Sequence, residues 1–377
     1  MIRARPHNVI RNWLFLGALM VPGIVMLFAA RQETSLREAR TLASAPGRIE
    51  LVEHPLQYAS LWDAFLKDHF GLRDALLDIN ALVRRQLESP ASGQVIVGKQ
   101  GWLFFGDGLL PGSESARAVE EKVTRQVELI GAIARRLDRQ RIPFLVAPTP
   151  DKHSVYPEYL PGWLDRLPRS DVMRQLIAGV RAKGVELVDV GDALASSRDH
   201  SPLYFLTDTH WTPIGAALAF NEVSRLSRAV LRPVPVPSGA TLVHGAPHDL
   251  SRMAGFDGTP LDWVVPGFNS SYPQALREEL QVADSSLQKP FVLRRDGLGS
   301  KVLIIGDSFS GHWPSYALES ANTVYWSHHN QCLADWPKLL SLDVDLVIYQ
   351  MLERTIGCPP LAPEVIGGID GLQAPIG

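Results

Sequence analysis

The sequence has little cysteine and little net charge, and each shortage excludes a class of protein. Its two cysteines, Cys332 and Cys358, lack the C-x-x-C or Cys/His spacing of a zinc site. The net charge is −3 and no block of one sign is long, so we expect no nucleic-acid partner. Hydrophobic residues make up 46% of the 377, which excludes a disordered chain and is typical of a globular protein.

The two cysteines leave two interpretations open. In an oxidising compartment Cys332 and Cys358 can pair, and closing a loop of that length stabilises the fold by roughly 3 kcal/mol in chain-entropy models. Two unrelated buried thiols are the alternative.

The N-terminus carries the longest uncharged run, Trp13–Ala30, after arginines at positions 3, 5 and 11. At about 1.5 Å per residue a helix over this run is roughly 27 Å long, enough for a thin bilayer core. We expect a cytoplasmic lead at 1–12, a membrane anchor at 13–30 and a tether at 31–59, with the body outside the cytoplasm. A cleaved secretory signal is the main alternative, although Ala29 and Ala30 form a poor cleavage site.

From residue 60 onward, segments with helical and strand-like patterns alternate, which predicts an α/β domain over 60–377 with a parallel sheet between helices. The residues 240–298 have no clear period and are predicted to be an irregular insertion. The remaining predictions are helices at 61–70, 118–139, 171–182 and 214–231, a hairpin at 95–105, and strands at 142–147, 185–190, 301–305 and 345–349.

Ligands of parallel sheets bind beyond the carboxyl ends of the strands. Three such ends are predicted here: after Ala147, after a strand leading into Asp208, and after Ile305. At the last of these, an apolar strand runs into Gly306, Asp307 and Ser308. The glycine permits a sharp turn, and the serine then lies at the strand end, where the first N–H groups of a following helix can stabilise an oxyanion. A plain turn with a helix cap is the alternative.

A serine needs a base before it acts as a nucleophile. Asp208 and His210, two residues apart before a predicted helix, can form the orienter and base of a Ser-His-Asp triad. A helix cap beside an incidental histidine, or half of a metal site, are the alternatives, and no nearby H-x-H or E-x-x-H pattern supplies further metal ligands. We therefore expect the site to need neither metal nor cofactor.

Other residues are weaker candidates. Lys152 and Tyr156 follow a predicted strand end and are assigned to substrate binding, with a proline-rich turn as the alternative. Tyr316 is also assigned to substrate binding, and Tyr316 or Asn330 can complete an oxyanion hole, with ordinary surface roles as the alternative. Glu353 and Arg354 are interpreted as a structural ion pair. For the tryptophans at positions 102, 211 and 313, core packing is preferred to stacking on sugar rings.

The motifs Gly306-Asp307-Ser308-Phe309 and Asp208-Thr209-His210-Trp211 resemble the site motifs of the SGNH hydrolase superfamily. Their order, with the acid and histidine before the serine, resembles the AlgJ/AlgX-type alginate O-acetyltransferases, whose SGNH-like domain is circularly permuted. Segments at 65–74, 98–104 and 148–157 agree with that family, as does the pair at 353–354.

The resemblance implies O-acetylation of an exported polysaccharide in the periplasm, with acetyl groups supplied by a membrane-bound O-acyltransferase. By position, Ser308 is the acyl-accepting nucleophile, His210 the base and Asp208 its orienter. A carbohydrate or lipid esterase with the same triad, and a non-catalytic member of an export complex, are the competing functions. The insertion 240–298 matches no motif of the family, so the polymer is left unidentified.

Overall fold

The computed structural model divides the chain into two compact units, residues 1–92 with 251–258 and residues 93–250 with 259–377. The residues that it describes are 20–26, 28, 34–35, 40–47, 58–73, 75–76, 79, 94–107, 109–110, 115–166, 171–255, 259–266, 276–282, 288–361 and 363–371.

The described residues of the first unit include a short hairpin and an 11-residue helix. Strands β1 (Thr34–Ser35) and β2 (Arg40–Thr41) pair antiparallel, and helix α1 spans Tyr58–Asp68. The Ala43 amide donates to the Asp68 carboxylate at 2.8 Å. The helix predicted at 61–70 is thus confirmed, with a start three residues earlier and an end two residues earlier than its apolar spacing indicates.

The predicted anchor at 13–30 lies partly outside the described residues. Residues 20–26 are helical, whereas 13–19 are not among those described. Within the described part of the chain, no helix combines the length and the apolar character needed to cross a bilayer.

The second unit is organised around a seven-stranded sheet with the order β6-β5-β13-β11-β12-β10-β9 in the described part of the chain. The first five strands in that order run parallel, whereas β10 and β9 extend one edge antiparallel. The predicted parallel sheet is confirmed, but it is extended at that edge. The strands are β5 (Phe144–Thr149), β6 (Glu186–Leu187), β9 (Leu276–Glu279), β10 (Phe291–Arg294), β11 (Lys301–Gly306), β12 (Thr323–His328) and β13 (Leu346–Leu352).

Helices cover both faces of this sheet, because its central strands are apolar on both sides. Val302 and Ile304 of β11 face one core, whereas Leu303 and Ile305 face the other. Every residue of β13 is buried, as expected for a strand in the middle of a covered sheet. The helices are α2 (Ala116–Arg139), α3 (Lys152–Val155), α4 (Val172–Ala182), α5 (Val190–Ser197), α6 (Pro213–Leu226), α7 (Asp249–Met253), α8 (Trp313–Leu318), α9 (Trp336–Leu339) and α10 (Pro363–Gly371).

Two hairpins lie outside the main sheet. The first pairs β3 (Val95–Val97) with β4 (Leu103–Phe105), which confirms the hairpin predicted at 95–105. The second pairs β7 (Thr241–His244) with β8 (Leu261–Val264). The irregular insertion predicted at 240–298 is therefore wrong in part, since four strands form there. Its strands are only four residues long, too short for a clear period.

Of two further predicted strands, one is confirmed only in part and the other is wrong. The segment 185–190 pairs over Glu186–Leu187 only, because Asp189 accepts the Asp192 amide and starts α5 at Val190. The segment before Asp208 forms one isolated bridge, between Tyr204 and Trp211, instead of a strand.

The hypothesis that the cysteines pair is confirmed. Cys332 and Cys358 form a disulfide with their Cα atoms 5.5 Å apart. The bond joins the loop after β12 to the segment after β13.

Candidate active site

Ser308 lies on a tight turn at the end of β11, here called the serine turn (residues 306–310). A Cβ at Gly306 would collide with the Ser310 hydroxyl and the Gln350 side-chain oxygen, so only glycine fits there. The Ser310 hydroxyl donates to the Asp307 carbonyl at 2.8 Å. The turn leads into a short 3₁₀ helix, Ser308–His312, and Ser308 remains partly exposed.

The carboxylate of Asp307 fixes the serine turn to the sheet. It accepts the Phe309 amide at 2.9 Å and the Leu352 amide, at the end of β13, at 2.8 Å. Burial opposes ionisation of this group, but His329, 3.6 Å away, and the two amides outweigh burial and lower the pKa of Asp307 to about 2. Asp307 is therefore an ionised structural anchor for the residue that follows it.

Asp208 and His210 lie on an irregular segment, here called the histidine loop (residues 205–210). The Phe205 amide donates to the His210 carbonyl at 3.2 Å, which closes the loop at its base. Directly after the loop, Thr212 caps α6 by accepting the Gly215 amide. The loop thus precedes a helix, as the sequence predicts, but it does not follow a strand.

The two segments bring the predicted residues together. His210 Nε2 lies 2.8 Å from Ser308 Oγ, and His210 Nδ1 lies 2.6 Å from Asp208 Oδ1. The Asp208 carboxylate also accepts the His210 amide at 2.9 Å. About a third of the His210 side chain is exposed, so a ligand can reach it. This is the geometry of a serine hydroxyl, a base and an orienting acid.

The charges around His210 favour its action as a general base. Burial raises the pKa of Asp208, but hydrogen bonds from His210 and His248 outweigh burial and hold the pKa well below its ordinary value. Burial lowers the pKa of His210, but the hydrogen bond and charge of Asp208, with the charge of Asp249, give a net increase. Asp208 therefore stays ionised, and His210 binds a proton more readily than an ordinary histidine.

Three further polar residues lie around the Asp208–His210 pair, and no sequence pattern predicts them. His248 Nδ1 lies 3.4 Å from Asp208 Oδ2, and its ring stacks on Phe205. Asp249 accepts the Thr209 hydroxyl at 2.5 Å and approaches His210 Nδ1 to 3.8 Å. Burial and the charge of His210 lower the pKa of His312 to about 4. His248 and Asp249 belong to the segment 240–298, where no periodic pattern marks them.

Lys152 is near the site, but not in the role predicted for it. It is 3% exposed, and its ammonium group donates to the carbonyl oxygens of Phe205, Leu206 and Asp208. From the other direction, Asp262 of β8 accepts the amides of Leu206 and Thr207. The prediction that Lys152 contacts substrate is therefore wrong, because its donors are occupied by the backbone of the histidine loop.

The two predicted tyrosines also lie in the core instead of lining a cleft. The Tyr156 hydroxyl accepts the Leu203 amide at 3.0 Å, and burial raises the pKa of this group to about 12. The Tyr316 hydroxyl donates to the Pro213 carbonyl at 3.4 Å, and its ring packs on Phe220. Both are less than a tenth exposed, so the expected substrate contacts are wrong.

The ion pair predicted between Glu353 and Arg354 is replaced by contacts to a third residue. Arg354 pairs with the Asp151 carboxylate, whereas Glu353 accepts the Asp151 amide at 3.0 Å. Asn330 begins a 3₁₀ turn with a positive φ of 45°. Core packing of the tryptophans at positions 102, 211 and 313 is confirmed, since each is at most 6% exposed.

The same residues offer the atoms of a small metal site. Ligand atoms of Asp208, His210 and Asp249 lie within 4.8 Å of one another. Each is already engaged, however: His210 Nδ1 contacts Asp208, and both Asp249 oxygens accept hydrogen bonds from Thr209. The donor set therefore fits proton transfer between His210 and Ser308 better than metal binding.

Several known proteins are similar to parts of this chain. The "Probable alginate O-acetylase AlgJ" of Pseudomonas aeruginosa is 26% identical over 179 residues, which is 47% of this chain and 44% of the relative. That of Pseudomonas syringae is 22% identical over 59% of this chain and 52% of its own length. The chain thus spans about half the length of these relatives. The O-acetyltransferase domain of Pseudomonas putida AlgJ superposes with a TM-score of 0.49 at 18% identity, over 73% of this chain and 98% of the domain.

The family match covers both halves of the site. The profile described as "SGNH hydrolase-like domain, acetyltransferase AlgX" matches residues 95–320, which include the histidine loop and the serine turn. Because this match extends over more than half of the chain, the protein belongs to the family of SGNH hydrolase-like domains of the acetyltransferase AlgX.

Proposed function

We propose that this protein is a polysaccharide O-acetyltransferase in which Ser308 carries the acetyl group between donor and acceptor. The observation that carries the proposal is the contact of 2.8 Å between Ser308 Oγ and His210 Nε2, with Asp208 behind the imidazole at 2.6 Å. Family membership supports acetyl as the group that is transferred.

The chemistry follows from these contacts in two steps. His210 Nε2 takes the Ser308 proton as Oγ attacks the acetyl carbonyl, and it returns that proton to the departing donor. In the second step His210 takes a proton from a sugar hydroxyl, which attacks the acetyl–serine ester. The ester bond to Ser308 breaks as the new ester forms on the sugar, and His210 returns the proton to Ser308 Oγ. Asp208 stabilises the imidazolium in both steps.

An oxyanion forms on the acetyl group in both steps and needs hydrogen-bond donors. Ser308 is the first residue of the 3₁₀ helix Ser308–His312, and an N–H in that position has no acceptor within its own helix. The next amide, Phe309, is used by Asp307. We assign the Ser308 N–H as one donor to the oxyanion.

The proposal also names the acetyl acceptor, the acetyl donor and the cellular compartment. The acceptor is an exported polysaccharide, alginate-like or another exopolysaccharide, and the donor is a membrane-bound O-acyltransferase. The relatives named alginate O-acetylases support such a substrate class. We place the catalytic domain, a circularly permuted SGNH-like domain, in the periplasm behind an inner-membrane anchor at 13–30. The Cys332–Cys358 disulfide supports an oxidising compartment.

The test is acetyl transfer by the purified full chain from 4-nitrophenyl acetate to uronate and neutral oligosaccharides, followed by mass spectrometry. We expect acetylated oligosaccharide from the wild type and a loss of about 1,000-fold or more in Ser308→Ala. Ser341→Ala, at an exposed serine that donates to the Lys338 carbonyl, is the matched control.

Each other result points to a different function. Free acetate as the sole product with every acceptor would indicate an esterase. Undiminished polymer acetylation in cells that carry Ser308→Ala would indicate a non-catalytic member of an export complex.

A further inference from the structure

We propose that Lys152 is a positioning residue whose ammonium group holds the histidine loop in the shape that aims Asp208 at His210, an inference that rests on the proposed function of these residues. Lys152 touches none of the reacting atoms. It acts through the backbone of the residue that orients the base.

The contacts of Lys152 match its chemistry. A lysine ammonium has three N–H donors and no acceptor. Here its nitrogen has three backbone partners, the carbonyl oxygens of Phe205 at 3.0 Å, Leu206 at 3.2 Å and Asp208 at 2.8 Å. Three carbonyls of one short irregular segment thus converge on a single cation. The Leu206 carbonyl also accepts the Leu103 amide of β4 at 2.9 Å, whereas Lys152 is the donor to the carbonyls of Phe205 and Asp208.

Asp208 is held from two directions as a result. Its carbonyl oxygen accepts from Lys152, and its carboxylate accepts from His210 at 2.6 Å. If the ammonium is removed, the Asp208 carbonyl loses this donor and the loop backbone can shift. A shift of about 1 Å in a catalytic group can cost about 100-fold in rate.

Lys152 is held in a buried environment that is unfavourable for a positive charge. The ring centres of Trp102 and Phe104 lie 5.6 and 5.4 Å from the Lys152 ammonium, close enough for a cation–π attraction. The side chain is buried from solvent. Burying a cation in this way is unfavourable unless opposite charge is near. The charged groups that act on it are the carboxylates of Asp208, Asp249 and Asp262 and, against them, the guanidinium of Arg354.

This environment makes the contact sensitive to pH. Burial lowers the pKa of Lys152 to about 8, although the three carboxylates oppose the shift. A neutral amine has two donors instead of three, and its lone pair would face a carbonyl oxygen. We therefore expect the loop to loosen, and activity to fall, as the pH rises through about 8.

The lowered pKa of Lys152 allows an experiment to distinguish loosening of the loop from global unfolding. Because the folded-state pKa lies below the ordinary 10.5, the folded protein releases this proton before the unfolded chain does. The contribution of Lys152 to the free energy of unfolding then increases between about pH 8 and 10. A loss of activity in that window with no loss of folded protein is the signature of the proposed role.

The experiment measures hydrolysis of 4-nitrophenyl acetate by the full chain from pH 6 to 10 for the wild type and Lys152→Met. Methionine keeps the length and unbranched shape of the side chain. We expect kcat/KM to fall about 100-fold through kcat with KM little changed, and the alkaline decline near pH 8 to be absent from the variant. Lys183→Met is the control, at an exposed lysine paired with Glu128.

Folding is checked by circular dichroism at each pH. A folded Lys152→Met with wild-type kcat/KM, with an effect on KM alone, or with the alkaline decline intact overturns the inference. If the variant does not fold, the wild-type profile decides, and a flat profile from pH 7 to 10 overturns it. Ser308→Ala in the same assay tests the proposed function separately. If this variant still hydrolyses the ester, Ser308 is not the nucleophile and the proposed function is wrong.

Discussion

The serine turn and the histidine loop meet at 2.8 Å, yet they are held in place in different ways. The serine turn continues directly from a buried strand, and Asp307 ties it to the end of the neighbouring strand β13. The histidine loop is flanked by one isolated bridge and accepts one amide of β4 at Leu206, and its other supports are side chains from distant segments, those of Lys152 and Asp262. We infer that damage to the serine turn lowers the stability of the fold, whereas damage to the histidine loop mainly lowers activity.

Of the substitutions that compare the two segments, Asp307→Asn in the serine turn is expected to cause the largest loss of stability. The two carboxylate oxygens accept the amides of Phe309 and Leu352, and asparagine would place an NH₂ group against one of these donors. A buried amide left without an acceptor costs about 2 kcal/mol, so we expect the free energy of unfolding to fall by that amount. Urea unfolding measures it, and acetyl-ester hydrolysis should fall with it.

The pH dependence of this effect has a definite sign. The pKa of Asp307 is lowered to about 2, below the ordinary 3.8, so its stabilisation is present above pH 4 and is lost as the pH falls toward 2. The wild type should therefore lose its advantage over Asp307→Asn in acid. Asp343→Asn, at an exposed acid paired with Lys301, is the control. Equal stability of wild type and Asp307→Asn at pH 7 would contradict the anchor role.

The contrast also explains which parts of the site the sequence predicts. Gly306, Asp307 and Ser308 are adjacent in the chain and follow an apolar strand, so local pattern is sufficient. The motif of Asp208 and His210 is equally compact. The two motifs meet through side chains that flank them, since Trp211 packs against Phe309, and such a contact leaves no local pattern. In the sheet, β12 is not predicted because Thr323, Ser327 and His328 interrupt its apolar pattern.

The supports of the histidine loop were not predictable in the same way. Asp262 and Asp249 act on backbone amides more than 30 residues away in the chain, and such contacts leave no local periodicity. Lys152 is a candidate because it follows a strand end, but position alone does not reveal whether a lysine faces substrate or backbone. A buried cation is recognised only when its carbonyl partners are located.

A matched substitution in the histidine loop, Asp262→Asn, tests the other half of the comparison. Asp262 also accepts two amides, those of Leu206 and Thr207, at 2.7 and 2.8 Å. Because the loop can relax without disturbing the sheet, we expect a loss of about 1 kcal/mol in stability but about 30-fold in kcat/KM for acetyl-ester hydrolysis. Urea unfolding and the hydrolysis assay are run on the same preparation.

The pair of variants makes the comparison quantitative. For Asp307→Asn the loss of stability should exceed that of Asp262→Asn, measured side by side. If Asp262→Asn lost more stability than Asp307→Asn, or kept wild-type activity, the division between a structural turn and an activity-determining loop would be wrong.

The smallest effect is expected for Asp249→Asn, which changes a charge and leaves the shape of the loop. Asparagine can still accept the Thr209 amide and donate to the Thr209 hydroxyl, so the contacts of Asp249 are largely kept. The charge of Asp249 helps to raise the pKa of His210, and its removal lowers that pKa. His210 acts as a base only when neutral, so the acidic limb of the kcat/KM profile should move to lower pH, by less than about one unit at this separation. Asp343→Asn should leave the limb in place, and a limb that moved to higher pH in Asp249→Asn would show that Asp249 does not act on His210 through its charge.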